Sequence, residues 1–284
     1  MHFSETLREL DARVAADRGD PAVDPACLPY VAQHGARTAR ALVLFHGFTN
    51  CPCQFSELAD AFAARGFSVY VPRLPHHGLA DKMTTALAAL TRAELQGAAR
   101  DALRVANGLG ARVSVLGLSS GGTMAAWVAA TEPVDVAVAV APLFGLRGVP
   151  QPLTTPLRAL LAALPNRNVW WDPRVKEGIR PEHAYPRFPT RALAQCLQLA
   201  ADTARAARRG ARARSSILVL NRREAATSNA AARAVWSRFA AHGAVTREIV
   251  LTDIDRRHDI IEPVTFPQAR TLVYPVLLDA VEGA

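Results

Sequence analysis

The chain has 284 residues, half of them hydrophobic, and a formal charge of +8. That apolar content suffices for a large core and excludes a disordered or low-complexity polymer. The excess charge is nearly all arginine and clusters only at Arg208-Arg209 with Arg212 and Arg214. No aromatic residues interleave there, so the cluster reads as a solvated helix end and not as a nucleic-acid site.

Met1 to Asp20 is polar and amphipathic, with Leu7, Leu10 and Val14 at helical spacing, unlike a secretory or transit segment. The most apolar stretch, Val134 to Leu146, is interrupted by Asp135 and Pro142, so no transmembrane segment is expected. A soluble, cytoplasmic protein is the expectation, with export of a longer precursor as the alternative. Peripheral contact with an anionic membrane is a further role for the positive charge. Composition says nothing of oligomeric state.

Apolar runs then alternate with helical ones. Strands are expected at Ala41-Phe45, Ser68-Val71, Val113-Gly117, Val136-Ala141, Ile217-Asn221 and Thr246-Leu251. Helices are expected at Gln54-Arg65, Thr91-Leu109, Gly122-Ala130, Ala230-His242 and Pro267-Glu282, several closing on glycine or proline. This alternation predicts an α/β domain with a mostly parallel sheet wrapped by crossover helices. Leu143 to Arg214 breaks the rhythm with prolines, a Trp170-Trp171 pair and a helical run Thr190-Arg208; it is too long for a loop and reads as an inserted cap at about 143–214 on a single domain.

Four cysteines, Cys27, Cys51, Cys53 and Cys196, are too few for a disulfide scaffold, and Cys51-Pro52-Cys53 lacks the spacer of a zinc or redox pair. Reduced thiols are the expectation, with a bridge from Cys27 to Cys51 or Cys53 as the alternative in an exported protein.

The stretch VLGLSSGGTMAAW, Val115 to Trp127, drives a strand straight into a helix. Such a junction forces Ser119 into a strained turn that lifts its hydroxyl above the sheet, and Gly117 and Gly121 leave room for the backbone there. The N-terminus of the following helix offers free N–H groups and partial positive charge to an oxyanion.

With this Gly-x-Ser-x-Gly segment the chain resembles an α/β-hydrolase-fold serine hydrolase, nearest to the carboxylesterase and monoacylglycerol lipase-like branch. The resemblance runs from about Ala41 to the C-terminus. Within LFHGFTN it implies that Phe48 supplies one oxyanion-hole N–H, the other coming from Ser120. VPRLPHHG is similar to a structural loop of that branch; His76 and His77 are adjacent, point apart and do not suit a metal. A serine needs a base, and His258 in DRRHDIIEP stands where the family's catalytic histidine does. The chain order Ser, acid, His implies Glu224 as the acid, where many relatives carry Asp, with Asp253 or Asp255 as alternatives.

The implied chemistry is hydrolysis of a small acyl ester through an acyl-enzyme, with no metal or organic cofactor. Leu157, Leu160, Leu161, Leu164 and Trp170-Trp171 are candidates for an apolar acyl pocket. A thioesterase, amidase or acyltransferase runs on the same residues, and a non-catalytic ligand-binding homologue is the alternative from another class.

Overall fold

A computed structural model describes residues 2–174 and 181–283. Seven strands make the central sheet or its edges: β1 (Tyr30–Ala32), β2 (Thr38–Phe45), β3 (Phe67–Val71), β4 (Gly110–Leu118), β5 (Val136–Val140), and, after a two-stranded ribbon of β6 (Asn168–Trp170) and β7 (Arg187–Pro189), β8 (Ser215–Asn221) and β9 (Thr246–Leu251). The sheet order is β1-β3-β2-β4-β5-β8-β9, parallel throughout except for β1, which runs antiparallel to β3.

Nine α-helices accompany them among the described residues: α1 (Phe3–Gly19), α2 (Ser56–Ala63), α3 (Arg92–Leu109), α4 (Ser120–Thr131), α5 (Gln151–Ala163), α6 (Thr190–Ala206), α7 (Asn229–Ala241), α8 (Ala269–Leu272) and α9 (Tyr274–Glu282). The layering follows from the period of the strands. On β2, Ala41, Val43 and Phe45 face one core with residues of α3, α4 and α7, while Leu42 and Leu44 face the other with α2 and α9. Buried on both faces, the inner strands read as unbroken apolar runs such as VAVAV in β5. The edge strands β1 and β9 are the more open to solvent.

The expected strands lie inside the observed ones, which extend one to three residues further in several cases, except that β5 ends at Val140, one residue short of the expected Ala141. Helix Thr91-Leu109 starts one residue later because Thr91 is its cap, accepting from Glu94 N. Two elements differ more. The run Gln54-Arg65 divides into a 3₁₀ turn, Pro52–Phe55, and α2. The C-terminal run breaks into α8 and α9 just before Pro275, which has no N–H to donate to the carbonyl of Thr271 four residues back.

The interval between β5 and β8 also divides. Its α6 packs closely on α4 and buries Leu193, Leu197 and Leu199 in the main core, whereas α5 buries none of its residues and the ribbon is three residues long on each side. Residues 175–180 of that interval lie outside the described residues.

Candidate active site

Ser119 sits between the last residue of β4 and the first of α4 with φ 59° and ψ −116°, a conformation that L-residues rarely adopt. Its neighbours hold it there: Ser119 N donates to Val140 O at 2.9 Å, and Ser119 O accepts from Thr123 N and Leu143 N at 2.9 and 3.1 Å. The crossing is so close that a Cβ on Gly121 would fall 2.0 Å from Phe45 O, and one on Gly117 would fall 2.1 Å from Gly121 O. Glycine at both positions is therefore a steric requirement of the turn. The serine is nearly buried but lines a cavity of about 390 Å³ together with Phe48, Trp171, Tyr185 and His258.

His258 projects into that cavity from the loop after β9. Its Nδ1 lies 2.7 Å from Glu224 Oε1. A carboxylate only accepts, so Nδ1 carries the proton and Nε2 is left as the basic nitrogen. Glu224 is buried in the loop after β8, and the same oxygen accepts from Ala226 N and Thr227 N at 2.7 and 3.2 Å. Burial raises its pKa, but the imidazole and the two N–H groups prevail and hold it below the usual carboxylate value. For His258 burial favours the neutral ring, yet the bond to Glu224 outweighs it and raises the pKa above the ordinary 6.5. Of the alternative acids, Asp255 is turned outward onto Arg257 and Asp253 is exposed, so neither takes the place of Glu224 at Nδ1.

Two donors stand free beside the serine. Ser120 N opens α4, and neither it nor Phe48 N finds an acceptor among the described residues. The Phe48 loop is fixed by Gln54, whose Oε1 accepts from Gly47 N at 2.7 Å and whose Nε2 donates to Asp259 Oδ2 at 2.6 Å. Asp259 Oδ1 in turn accepts from Ile261 N and Glu262 N. Gln54 thus joins the loop after β2 to the loop carrying His258. No local pattern announces this link, because its partners are 205 residues apart.

The histidines of the second motif separate. His76 meets Glu94 at the surface, while His77 is buried with Nδ1 against Pro75 O, and burial drops its pKa to about 4. His46 is buried edge-on to His77 and accepts from Leu74 N through Nε2, leaving Nδ1 to donate to Gly47 O. It is a neutral tie between loops. No group of three or more His, Cys, Asp or Glu among the described residues is placed to hold a metal.

Two expectations are corrected. Cys27 and Cys51 form a disulfide, with Cα atoms 5.4 Å apart, so only Cys53 and Cys196 are free thiols. The sequence hid this because the cysteines are 24 positions apart, with β1 and all of β2 between them, and the fold returns the chain end to end. The second concerns the acyl pocket. Leu160 and Leu164 are half exposed on the outer side of α5 and Leu161 packs toward the main core; of the proposed apolar set only Trp171 lines the serine's cavity.

Trp171 belongs to a further group that the sequence does not show. Its Nε1 donates to Thr49 Oγ1 at 2.8 Å, and its ring packs on Phe188 and edge-on to Phe48. Nearby, Tyr185 N donates to Thr49 O at 2.8 Å. His183 Nε2 lies 3.0 Å from Glu262 Oε1, out of line for a directed hydrogen bond, as an ion-pair contact. Burial opposes the imidazolium there, but Cys53 and Glu262 together push the His183 pKa up to about 9.

A parallel sheet clad on both faces, with a strained serine at a strand-to-helix turn and a buried carboxylate–histidine pair beside it, defines the α/β-hydrolase architecture. The model of the alpha/beta hydrolase family matches residues 42–271, and the chain belongs to that family. No curated protein matches it. Among solved structures it is similar to one reported for LipS and LipT, two metagenome-derived lipolytic enzymes, at 20% identity and a TM-score of 0.71 over 92% of this chain and 99% of that one. It is also similar to the Paleococcus ferrophilus monoacylglycerol lipase, at 17% identity and 0.63 over 89% and 99%. A soluble variant of the Saccharomyces cerevisiae monoglyceride lipase aligns at 13% and 0.68 over 90% of each chain.

Proposed function

We propose that the protein is a serine hydrolase of carboxylic esters, and the observation that carries this is the 2.7 Å contact between His258 Nδ1 and Glu224 Oε1 beside a serine held at φ 59° in the same cavity. Ser119 Oγ attacks the ester carbonyl as His258 Nε2 takes its proton, and Glu224 fixes the tautomer and stabilises the imidazolium. The developing alkoxide is held by the N–H groups of Phe48 and Ser120, each of such donors contributing about 3 kcal/mol in comparable sites. His258 returns the proton to the leaving alcohol, and water repeats the sequence on the acyl-enzyme.

The substrate is a small acyl ester, its apolar part against Phe48 and Trp171. The portion of the 143–214 interval that acts as a cap is α5 with the β6-β7 ribbon, which carries Trp171 and Tyr185 toward the cleft. Lipolytic and lipase descriptions of proteins with this fold agree with the reading.

A panel of nitrophenyl esters of increasing chain length, run beside Ser119→Ala, tests it. Turnover lost in the variant with the fold intact supports the nucleophile; equal turnover overturns it. Labelling of Ser119 by a fluorophosphonate separates a hydrolase from a non-catalytic binder, and products formed with added alcohol separate hydrolysis from acyl transfer.

A further inference from the structure

Away from the serine the fold holds a second cavity of about 250 Å³ between α5, α6 and α7, and it shares no residue with the first. Its volume exceeds by several-fold the roughly 30 Å³ of a single water. The inner wall is apolar, with buried Phe144, Leu197 and Val235. The remaining lining brings together Arg158 of α5, Arg205 of α6, Arg208 just beyond it and Arg238 of α7. Sequence distance conceals this convergence: Arg208 and Arg209 are solvent-exposed at a helix end, and only the fold brings Arg158 of α5 and Arg238 of α7 to the same cavity as Arg208.

The four are not equally engaged. Arg205 pairs with Asp202, and Arg238 donates to Ala204 O at 3.1 Å. Arg158 and Arg208 meet no carboxylate and no acceptor among the described residues. Guanidinium groups gathered over an apolar wall repel one another, and an anion among them relieves that repulsion while matching their planar donors. A second observation points the same way: Thr154 Oγ1, on the same cavity, is buried without a hydrogen-bond partner among the described residues. An oxyanion supplies the acceptor that this hydroxyl lacks.

We propose that this cavity binds an anionic amphiphile, a carboxylate or phosphate head held by Arg158, Arg208 and Thr154 with a short apolar tail against Phe144, Leu197 and Val235. The arrangement distinguishes the ligand from an ester substrate, which is neutral at its reacting end, and does not depend on the chemistry at Ser119.

The experiment is calorimetric titration of the full chain with sodium octanoate, octyl phosphate, inorganic phosphate and 1-octanol. Octanoate or octyl phosphate is expected to bind at least tenfold more tightly than octanol, and Arg158→Gln/Arg208→Gln to weaken that binding tenfold or more. Arg209→Gln/Arg18→Gln, which removes equal charge outside the cavity, is expected to leave it unchanged. A preference for octyl phosphate over octanoate assigns the head to a phospholipid type, and the reverse assigns it to a free fatty acid. Filling the cavity with Ala201→Phe should abolish binding of both tailed ligands. Octanoate and octyl phosphate binding that survives the double arginine substitution, as binding in the Ser119 cleft would, overturns the proposal, as does equal affinity for octanol or no binding of either anion.

Discussion

Gln54 Nε2 donates to Asp259 Oδ2 at 2.6 Å, and through that bond the loop bearing Phe48 and the loop bearing His258 are one unit. The amide is suited to the place because it donates to a carboxylate on one side and accepts from Gly47 N on the other, which no charged side chain does. Gln54→Leu leaves the buried Gly47 N–H without an acceptor and cuts the tie, at a cost of about 1–3 kcal/mol. We expect ester kcat/KM to fall roughly 10- to 100-fold, mainly in kcat, with the fold retained. Unchanged kcat in steady-state assays would contradict a positioning role for the side chain.

The pH dependence of that activity has a definite sign. In the proposed mechanism His258 acts as a neutral base, and its bond to Glu224 raises its pKa above the ordinary 6.5, so the acid limb of kcat/KM should lie above 6.5 and activity should fall as pH is lowered through it. Glu224→Gln removes the charge that supports the imidazolium. The limb should then move to lower pH, while kcat drops on the order of 10³- to 10⁴-fold through the lost tautomer control. A limb unmoved by this substitution would show that another group titrates.

The fold and the candidate site were legible to different depths, for physical reasons. Inner strands declare themselves because burial on both faces demands apolar runs, and Ser119 does so because its strained turn demands glycine at 117 and 121. His258 and Glu224 are readable only through their order along the chain. What no sequence pattern shows is pairing between distant loops: Gln54 with Asp259, His183 with Glu262, Trp171 with Thr49. The short strands of the ribbon, three residues each and 17 positions apart between Trp170 and Arg187, are too brief to show the alternation that announces a strand.

His183 couples stability to pH. Its folded pKa of about 9 lies above an unfolded value near 6.5, so the contribution is fully present below 6.5 and is lost as pH rises through 9. The difference corresponds to roughly 3 kcal/mol, and the side chain is only 10% exposed, so solvent screening removes little of it. Thermal melts between pH 6 and 10 should show a midpoint falling across this window in the wild type, and a flatter dependence in His183→Gln. Parallel curves for the two proteins would assign the loss to another group.

The Cys27–Cys51 bridge ties the 3₁₀ turn at Pro25–Cys27 to the loop just after Asn50, within four residues of Phe48. Closing a loop of this length restricts the unfolded chain by about 3 kcal/mol. Cys27→Ser/Cys51→Ser should therefore lower the midpoint of urea unfolding by a corresponding amount, and a reductant should lower the wild type but not the double variant. Mass measurement of alkylated protein, with two free thiols before reduction and four after, checks the pairing directly.

Trp171 should act on substrate binding more than on chemistry. Its indole is half exposed, lines the serine's cavity, and is fixed by Thr49 Oγ1 on one edge and by Phe188 and Phe48 on its ring. None of these contacts reaches His258 or Glu224, so Trp171→Ala should leave that pair intact while removing an apolar wall whose packing with one ring is worth about 0.5–1.5 kcal/mol beyond burial. KM for longer nitrophenyl esters should rise several-fold with kcat nearly constant, and the effect should shrink for acetate, whose acyl group is too short to reach the indole. Trp171→Phe, which keeps the ring but loses the bond to Thr49, separates the two contributions: recovery of KM assigns the role to the apolar wall, and persistence of the defect assigns it to the hydrogen bond that seats the ribbon on the loop of Phe48.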